Sequence, residues 1–318
     1  MKYTKLTSDN NTTTHIIEVS PADFKIIMND SKKKTAFPRN YCNAGFFANF
    51  YETNSNGNKQ YFTLPVGHLI CDFDSKSQWT KHYCNERGKF NGKKFTFDSS
   101  TFSYNNSFHK KPLSTLLVNT KSKKAEIKEV VAIPNGYDYA INGVPIMKNG
   151  RSVSLESDVK TQGWGGSSLY GTWHIFVGLK KDSNMIYIIG MKTTTWNMVK
   201  TNEAYKKFKE LDMYDVIKLD GGGSFYMNVS GKAVASTSED RRVNTIICFG
   251  EEDVSNKIDV MDKDKDKDKD IVESNKPNQS TKPNQSNSRP VIKPLVPLLS
   301  KQPNKYKKPN SFKMEDFR

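Results

Sequence analysis

Asp215-Val216-Ile217-Lys218-Leu219-Asp220-Gly221-Gly222-Gly223-Ser224-Phe225-Tyr226-Met227 is the stretch that decides how this chain is read. Val216, Ile217 and Leu219 form a short apolar run of the kind that makes a buried strand. The run ends on a carboxylate, Asp220, and three glycines and a serine follow at once. A second apolar run, Phe225 to Val229, meets Ser230-Gly231 and continues through Lys232-Ala233-Val234. The pattern predicts a strand, a tight glycine turn, then a hairpin with a two-residue loop. Glycine admits positive φ and lets backbone N–H groups approach a ligand with no Cβ in the way. A carboxylate beside such a turn can touch a sugar and the phosphate attached to it. No Gly-x-x-x-x-Gly-Lys-Ser/Thr occurs and no G-x-G-x-x-G opens a helix, so this is not a nucleotide P-loop.

Two further stretches have the same strand-end character. Asn43-Ala44-Gly45-Phe46-Phe47 puts a polar side chain, two small residues and two aromatics together. It suits a close backbone approach beside an apolar wall, and equally a strand with a glycine bulge. Ala140-Ile141-Asn142-Gly143-Val144-Pro145 joins a strand end to an Asn-Gly turn and runs on to a second turn at Asn149-Gly150. Gly163-Trp164-Gly165-Gly166-Ser167-Ser168 reads as a mobile lid or substrate loop.

The remaining body alternates short strands with few helices. His15 to Val19, Tyr61 to Ile70, Leu113 to Asn119, the 173–190 hairpin and Val243 to Phe249 read as strands. Residues 1–14 read as a frayed polar end. Ser20-Pro21-Ala22-Asp23 reads as a helix start that buries Phe24, Ile27 and Met28. Thr201 is the expected cap of a helix over Glu203 to Asp212, with Ala204, Phe208 and Leu211 on one face. The fold class expected is α+β: β-rich mixed sheets with a few flanking helices in a single domain over 1–250. From Glu251 the composition changes. Asp262 to Asp270 alternates Asp and Lys, and Lys-Pro-Asn-Gln-Ser occurs twice. Residues 251–290 are therefore expected to be a disordered linker, and 291–318 a short basic segment able to dock a protein partner.

The 318 residues carry 49 Lys/Arg against 34 Asp/Glu, a net charge of +15. The last 68 residues hold 15 of the former and 12 of the latter, so the first 250 keep most of the excess. Such a body favours anionic partners, phosphate esters among them. It lacks the RRM, KH and zinc-finger patterns of sequence-specific nucleic-acid binders. No secretory h-region opens the sequence and no run reaches the length of a membrane span. The expectation is a protein of the cytoplasm, or one released by lysis. Cys42, Cys71, Cys84 and Cys248 show no metal-ligand spacing and read as free core thiols. No cofactor or metal is expected.

In order along the chain, Asn43 to Phe47, Ala140 to Gly150, the 173–190 hairpin, Leu219-Asp220-Gly221-Gly222-Gly223-Ser224 and Arg241-Arg242-Val243-Asn244-Thr245 resemble the phosphodiester glycosidase family. The resemblance covers roughly residues 40–250, and a bacterial or phage member is the expected kind. A lysosomal member, the "uncovering enzyme", removes N-acetylglucosamine from a phosphate on mannose. The resemblance implies cleavage between an anomeric carbon and a phosphate oxygen, on a phosphorylated sugar or nucleotide-sugar type of ligand. It implies Asp220 as the carboxylate beside the sugar and Arg241 as the phosphate cation, with Glu156 or Asp158 as second carboxylate. Asn43, Gly45, Phe46, Asn142, Gly143, His174, Gly221, Gly222, Gly223 and Ser224 are the implied substrate contacts. Three positions depart from the family pattern: Ala44 for a glycine, His174 for an arginine, and Thr245 for an asparagine. A histidine in place of the arginine would hold phosphate less tightly and in a pH-dependent way. The same residues also admit a non-catalytic reading, in which the fold binds or sequesters a phosphorylated sugar or nucleotide signal, as a viral anti-defence protein would.

Overall fold

The backbone between Asp215 and Val234 forms as its pattern requires. Val216, Ile217 and Leu219 are buried in a strand, and the hairpin turn has Ser230 at φ 53° and Gly231 at φ 82°. Two positive φ values in a two-residue loop give the turn whose twist matches the flanking strands. The computed structural model describes residues 1–7, 13–29, 33–35, 40–53, 59–73, 89–91, 94–100, 108–193, 197–199, 201–239 and 241–250. The expected linker and basic segment, and Cys84, lie outside the described residues.

In chain order the strands are β1 (Lys2–Thr7), β2 (Thr13–Val19), β3 (Phe24–Met28), β4 (Tyr41–Asn43), β5 (Phe47–Thr53), β6 (Lys59–Pro65), β7 (Leu69–Asp72), β8 (Lys89–Asn91), β9 (Lys94–Phe97) and β10 (Leu113–Asn119). They continue as β11 (Lys124–Val130), β12 (Tyr139–Asn142), β13 (Val144–Lys148), β14 (Arg151–Ser152), β15 (Trp173–Leu179), β16 (Ile186–Lys192), β17 (Asp215–Gly221), β18 (Tyr226–Val229), β19 (Lys232–Ser236) and β20 (Thr245–Phe249). A seven-stranded antiparallel sheet has the order β1-β2-β16-β15-β17-β13-β14. A larger, mixed sheet has the order β11-β10-β12-β7-β3-β20-β4-β18-β19, with β9 on β7 and β8 on β9. Its β3–β7 pair is parallel. β5 and β6 form a separate hairpin. Among the described residues one α-helix is present, α1 (Glu203–Glu210). No helix among them is long and apolar enough to cross a membrane.

The smaller sheet is the middle layer. Ile17, Ile175, Val177, Ile188, Ile217 and Leu219 on one face pack with Phe24, Ile26, Leu116, Ile141 and Ile247 of the larger sheet. Ile16, Phe176, Ile189 and Val216 on the other face pack with Ala204 and Phe208 of α1 and with Val159 and Trp164. Strands covered on both faces must be apolar at consecutive positions, which is why this core reads as unbroken apolar runs. Cys42, Cys71 and Cys248 are buried free thiols.

The chain crosses between the sheets three times: at Ser20–Asp23, at Asn142-Gly143, and at Gly221–Ser224. The first crossing corrects the expected helix. Ser20 does cap, accepting from Ala22 N–H at 3.2 Å, but the turn is a single 3-10 turn, Pro21–Asp23. Phe24 to Met28 then pairs residue by residue with β20, Phe24 opposite Phe249 and Met28 opposite Thr245. Two adjacent β-branched residues, Ile26 and Ile27, favour that ladder over helix. Residues 2–7 are an edge strand rather than a frayed end, registered on β2 from Lys2–Glu18 to Thr7–Thr13. The cap of α1 is Asn202, at φ 55°, and Thr201 bonds back to Asn197 O instead.

Candidate active site

Asp220 sits on a β-bulge. His174 pairs with Gly221 and Phe176 with Lys218, so β17 has one more residue than β15 over the same span. The Asp220 N–H donates to Ala44 O at 3.0 Å, joining the end of β17 to the chain just after β4. Its carboxylate Oδ1 accepts from the Gly221 N–H at 2.9 Å. The group is closely walled by protein but only half-buried, so an edge still meets solvent. Burial raises its pKa, while the Ser224 hydroxyl, Lys218, the Gly221 N–H and Arg241 act in the opposite direction. Ser224 Oγ is itself buried without a well-formed hydrogen bond among the described residues, so it acts on Asp220 as a nearby dipole.

The glycines of the turn do different work. A Cβ on Gly221 would overlap Trp173 O, and one on Gly223 would overlap the Glu239 carboxylate. Gly222 has φ +55°, and among the described residues nothing lies within 4 Å of where its side chain would be. Its backbone faces open space in a conformation that favours glycine.

Two buried ammonium groups underlie this turn. Lys34, only 2% exposed, sends Nζ to Gly223 O at 3.1 Å, Phe225 O at 3.3 Å, Thr237 O at 3.1 Å and Thr237 Oγ1 at 2.8 Å. Three N–H protons are shared among four acceptors, which fixes the carbonyl side of the turn from below. Lys218, 1% exposed, donates to Ser168 O at 3.0 Å and Leu219 O at 3.3 Å, and its Nζ lies 4.6 Å from the centre of the Phe46 ring. Burial lowers its pKa to about 8, with the Asp220 carboxylate opposing. Carbonyl dipoles solvate both ammonium groups, so the region under the turn keeps a positive potential. Sequence reading assigned neither lysine a role.

Arg241 comes close enough for its charge to act on Asp220 although it lies beyond the hairpin. Its Nη2 donates to Glu239 Oε2 at 2.9 Å, and its side chain is 34% exposed. Glu239, which sequence reading passed over, therefore touches both Gly223 and Arg241. Glu156 is exposed and paired with Lys160 at 2.5 Å, and Asp158 Oδ2 accepts from Ser154 N–H at 2.7 Å. No contact among the described residues ties either to the Asp220 turn.

The other expected contacts are mainly structural in their bonding. Asn43, 1% exposed, donates from Nδ2 to Asp220 O at 2.8 Å and accepts at Oδ1 from Tyr226 N–H at 2.9 Å, so it fixes both ends of the glycine turn. Gly45 N–H donates to Thr245 Oγ1 at 3.1 Å. Phe46 stacks near Trp164, ring centres 5.0 Å apart, and Trp164 in turn meets Phe108 at 4.7 Å. Trp164 is 2% exposed and Ser168 O is held by Lys218, so the expected lid loop is anchored at both places. Asn142 is buried, with no hydrogen-bond partner for Nδ2 among the described residues, and Gly143 N–H donates to Ser114 O at 3.0 Å. Among the described residues no three His, Cys, Asp or Glu side chains group as metal ligands.

The family model for phosphodiester glycosidase matches residues 48–250, more than half of the chain. The chain belongs to the phosphodiester glycosidase family. It is accordingly a glycosidase acting on phosphodiester-linked sugars. The match begins just after Phe47, so the Asn43–Phe47 motif adjoins it without being part of it. No curated protein sequence matches the chain. Among solved structures, the fold is similar to the zebrafish N-acetylglucosamine-1-phosphodiester alpha-N-acetylglucosaminidase catalytic domain auto-inhibited by its pro-peptide. The TM-score is 0.50 at 15% identity, over 79% of this chain and 82% of that one. A hypothetical protein from Synechocystis matches with a TM-score of 0.41 at 9% identity, over 77% of this chain and 61% of that one.

Within the phosphodiester glycosidase fold, two of the three departures have local explanations. Thr245 supplies its hydroxyl to the Gly45 N–H. His174 is fully buried, with Nε2 3.1 Å from Thr193 Oγ1. Burial first, then the neighbouring Lys218 charge, depress its pKa to about 2. It is a neutral ring at physiological pH and cannot serve as the phosphate's counter-charge there. Among the described residues, Arg241, Lys218 and Lys34 put positive charge near the turn.

Proposed function

We propose that this phosphodiester glycosidase hydrolyses a sugar-1-phosphodiester at the Asp220 turn, with N-acetylglucosamine as the first sugar to test, by similarity to the zebrafish enzyme. The carrying observation is the placement of one half-buried carboxylate between an open glycine backbone and three cationic side chains. In this reading the diester phosphate lies over Gly222 and Gly223, with Arg241 as its exposed counter-charge. Lys34 and Lys218 add to the potential from below. As the anomeric C–O bond breaks, its electron pair goes to the phosphate oxygen and the sugar gains cationic character, which the Asp220 carboxylate stabilises. A water oxygen bonds to the anomeric carbon, and its surplus proton is released to solvent. The leaving group is a phosphate monoester with a second pKa near 6. It departs without a strong general acid.

Sugar release from UDP-N-acetylglucosamine and from methyl-phospho-N-acetylglucosamine, wild type against Asp220→Asn, tests this. Equal release by both proteins removes Asp220 from the chemistry. The neutral His174 supports a second reading, a non-catalytic binder of a phosphorylated sugar or nucleotide. No release by wild type across several sugars, with retained binding, would favour it.

A further inference from the structure

A hydrolase of this kind starts from a phosphate diester with one negative charge and ends with a monoester that carries close to two at neutral pH. A site built only of cations would hold its product more tightly than its substrate. Besides Asp220, which the proposed reaction places beside the sugar, Glu239 is a second carboxylate at this turn. Its carboxylate packs against the Cα of Gly223, where a Cβ would collide with it, and it holds Arg241 Nη2 at 2.9 Å. We propose that Glu239 is a specificity-determining residue that disfavours phosphate dianions, selecting diester over monoester and speeding release of the monoester product. This rests on the reading that phosphate lies over Gly222 and Gly223.

The geometry supports a selective effect over a general one. A carboxylate beside the phosphate repels a dianion about twice as strongly as a monoanion. It also takes up part of the Arg241 guanidinium, which weakens the strongest exposed counter-charge. The side chain is 56% exposed, so solvent screens the interaction, and the expected effect on a bound dianion is about fivefold rather than a thousandfold. Among the described residues the other charged groups at the turn are Arg241, Asp220, Lys218 and Lys34. They are the same in wild type and in a Glu239 variant, so their titration cancels when the two are compared.

The test uses methyl phosphate and dimethyl phosphate, neither of which has a glycosidic bond to cleave, with binding to the full chain followed by NMR titration at pH 8 and pH 5. Glu239→Gln should tighten methyl phosphate about fivefold at pH 8. Dimethyl phosphate should tighten only about twofold, since it has half the charge to repel. The difference should shrink at pH 5, where the monoester has only one charge. Glu239→Asp, which keeps the charge, should retain most of the wild-type discrimination. Equal tightening of both esters, or none, by Glu239→Gln overturns the inference while leaving the phosphate site standing. If neither ester binds wild type, and Arg241→Ala behaves identically, the phosphate site itself falls, and this inference with it.

Discussion

Two of the crossings between the sheets look alike in sequence and differ in what surrounds them. At Asn142-Gly143 the chain leaves β12 for β13. A Cβ on Gly143 would overlap Lys218 O, and the Gly143 N–H is already bonded to Ser114 O. The glycine there is a packing necessity between two backbones. At Gly221–Ser224 the chain returns from β17 to β18, and Gly222 has positive φ with open space beside it. Asp220, Lys218, Lys34, Arg241 and Glu239 gather around it. A glycine motif at a strand end marks close approach of something. Whether that something is the protein's own backbone or a ligand is decided by charge and by open space.

The largest effect expected separates these crossings by chemistry. Asp220→Asn keeps the shape of the side chain and removes the charge that meets the cationic sugar. Turnover should fall by about 10²–10³-fold with the melting temperature little changed, since one preorganised electrostatic contact of this kind is typically of that size. Stopped sugar-release assays beside thermal unfolding would check it. Loss of folding in the variant would make Asp220 a structural residue and put the two crossings in one class.

The next effect lies on stability. Gly143→Ala forces a methyl group into Lys218 O, backbone that cannot swing aside, and should cost about 1–3 kcal/mol as overpacking does. Gly222→Ala meets no atom, and should cost only the ~1 kcal/mol of a left-handed alanine while lowering affinity for the phosphate ester. Chemical denaturation of both variants ranks them. The reverse order would mean that Gly222, not Gly143, is the sterically required glycine.

How much of this was legible in sequence follows from the range of the interactions. The β17 strand, the glycine turn and the Ser230-Gly231 hairpin are specified by residues next to one another, and they form as read. Ser20-Pro21 carried a correct local signal, the cap, but Phe24 to Met28 answers to β20, more than two hundred positions away. Arg241 lies near enough for its charge to act on Asp220. Lys34 could not have been found, because its acceptors lie 189 to 203 positions ahead and its neighbours Lys32 and Lys33 make it look like one member of a solvated run. Glu239 was missed for a related reason. Nothing in a Glu-Asp-Arg-Arg sequence distinguishes a surface ion pair from a carboxylate laid against a glycine. Glu156 was named with Asp158 as a second carboxylate; among the described residues its ion-pair partner is Lys160, four positions on.

Lys34→Met sharpens the comparison from below the turn. It removes the ammonium and leaves Gly223 O, Phe225 O and Thr237 O without that donor. Buried carbonyls left short of a donor cost about 1–3 kcal/mol, so the variant should unfold earlier. The turn it fixes should also loosen, raising KM more than it lowers kcat, because phosphate is held in the ground state as well. An unchanged KM with a lowered melting temperature would make Lys34 a purely structural tie.

The smallest effect concerns pH and His174, which lies opposite Gly221 on β15. Its pKa is depressed to about 2 in the folded chain, by burial and then by Lys218, against about 6.5 when unfolded. Between those values the unfolded chain takes up a proton that the folded chain refuses. The unfolded state therefore gains as pH falls, and stability present above pH 6.5 is progressively lost below it. The loss from this residue should be about 1 kcal/mol between pH 7 and pH 5.5. His15 and His68 are also depressed by burial and add in the same direction, although Asp98 opposes the shift at His68. His174→Asn keeps a neutral polar side chain and cannot take up the proton, so its stability should decline less steeply with acid than that of wild type. Denaturant midpoints at pH 7, 6.5, 6 and 5.5 measure both slopes. Parallel slopes would mean that His174 is solvated and titrates normally. It would then be available as a pH-dependent phosphate ligand after all, and the positive charge at the glycine turn would no longer rest on Arg241 and the two lysines alone.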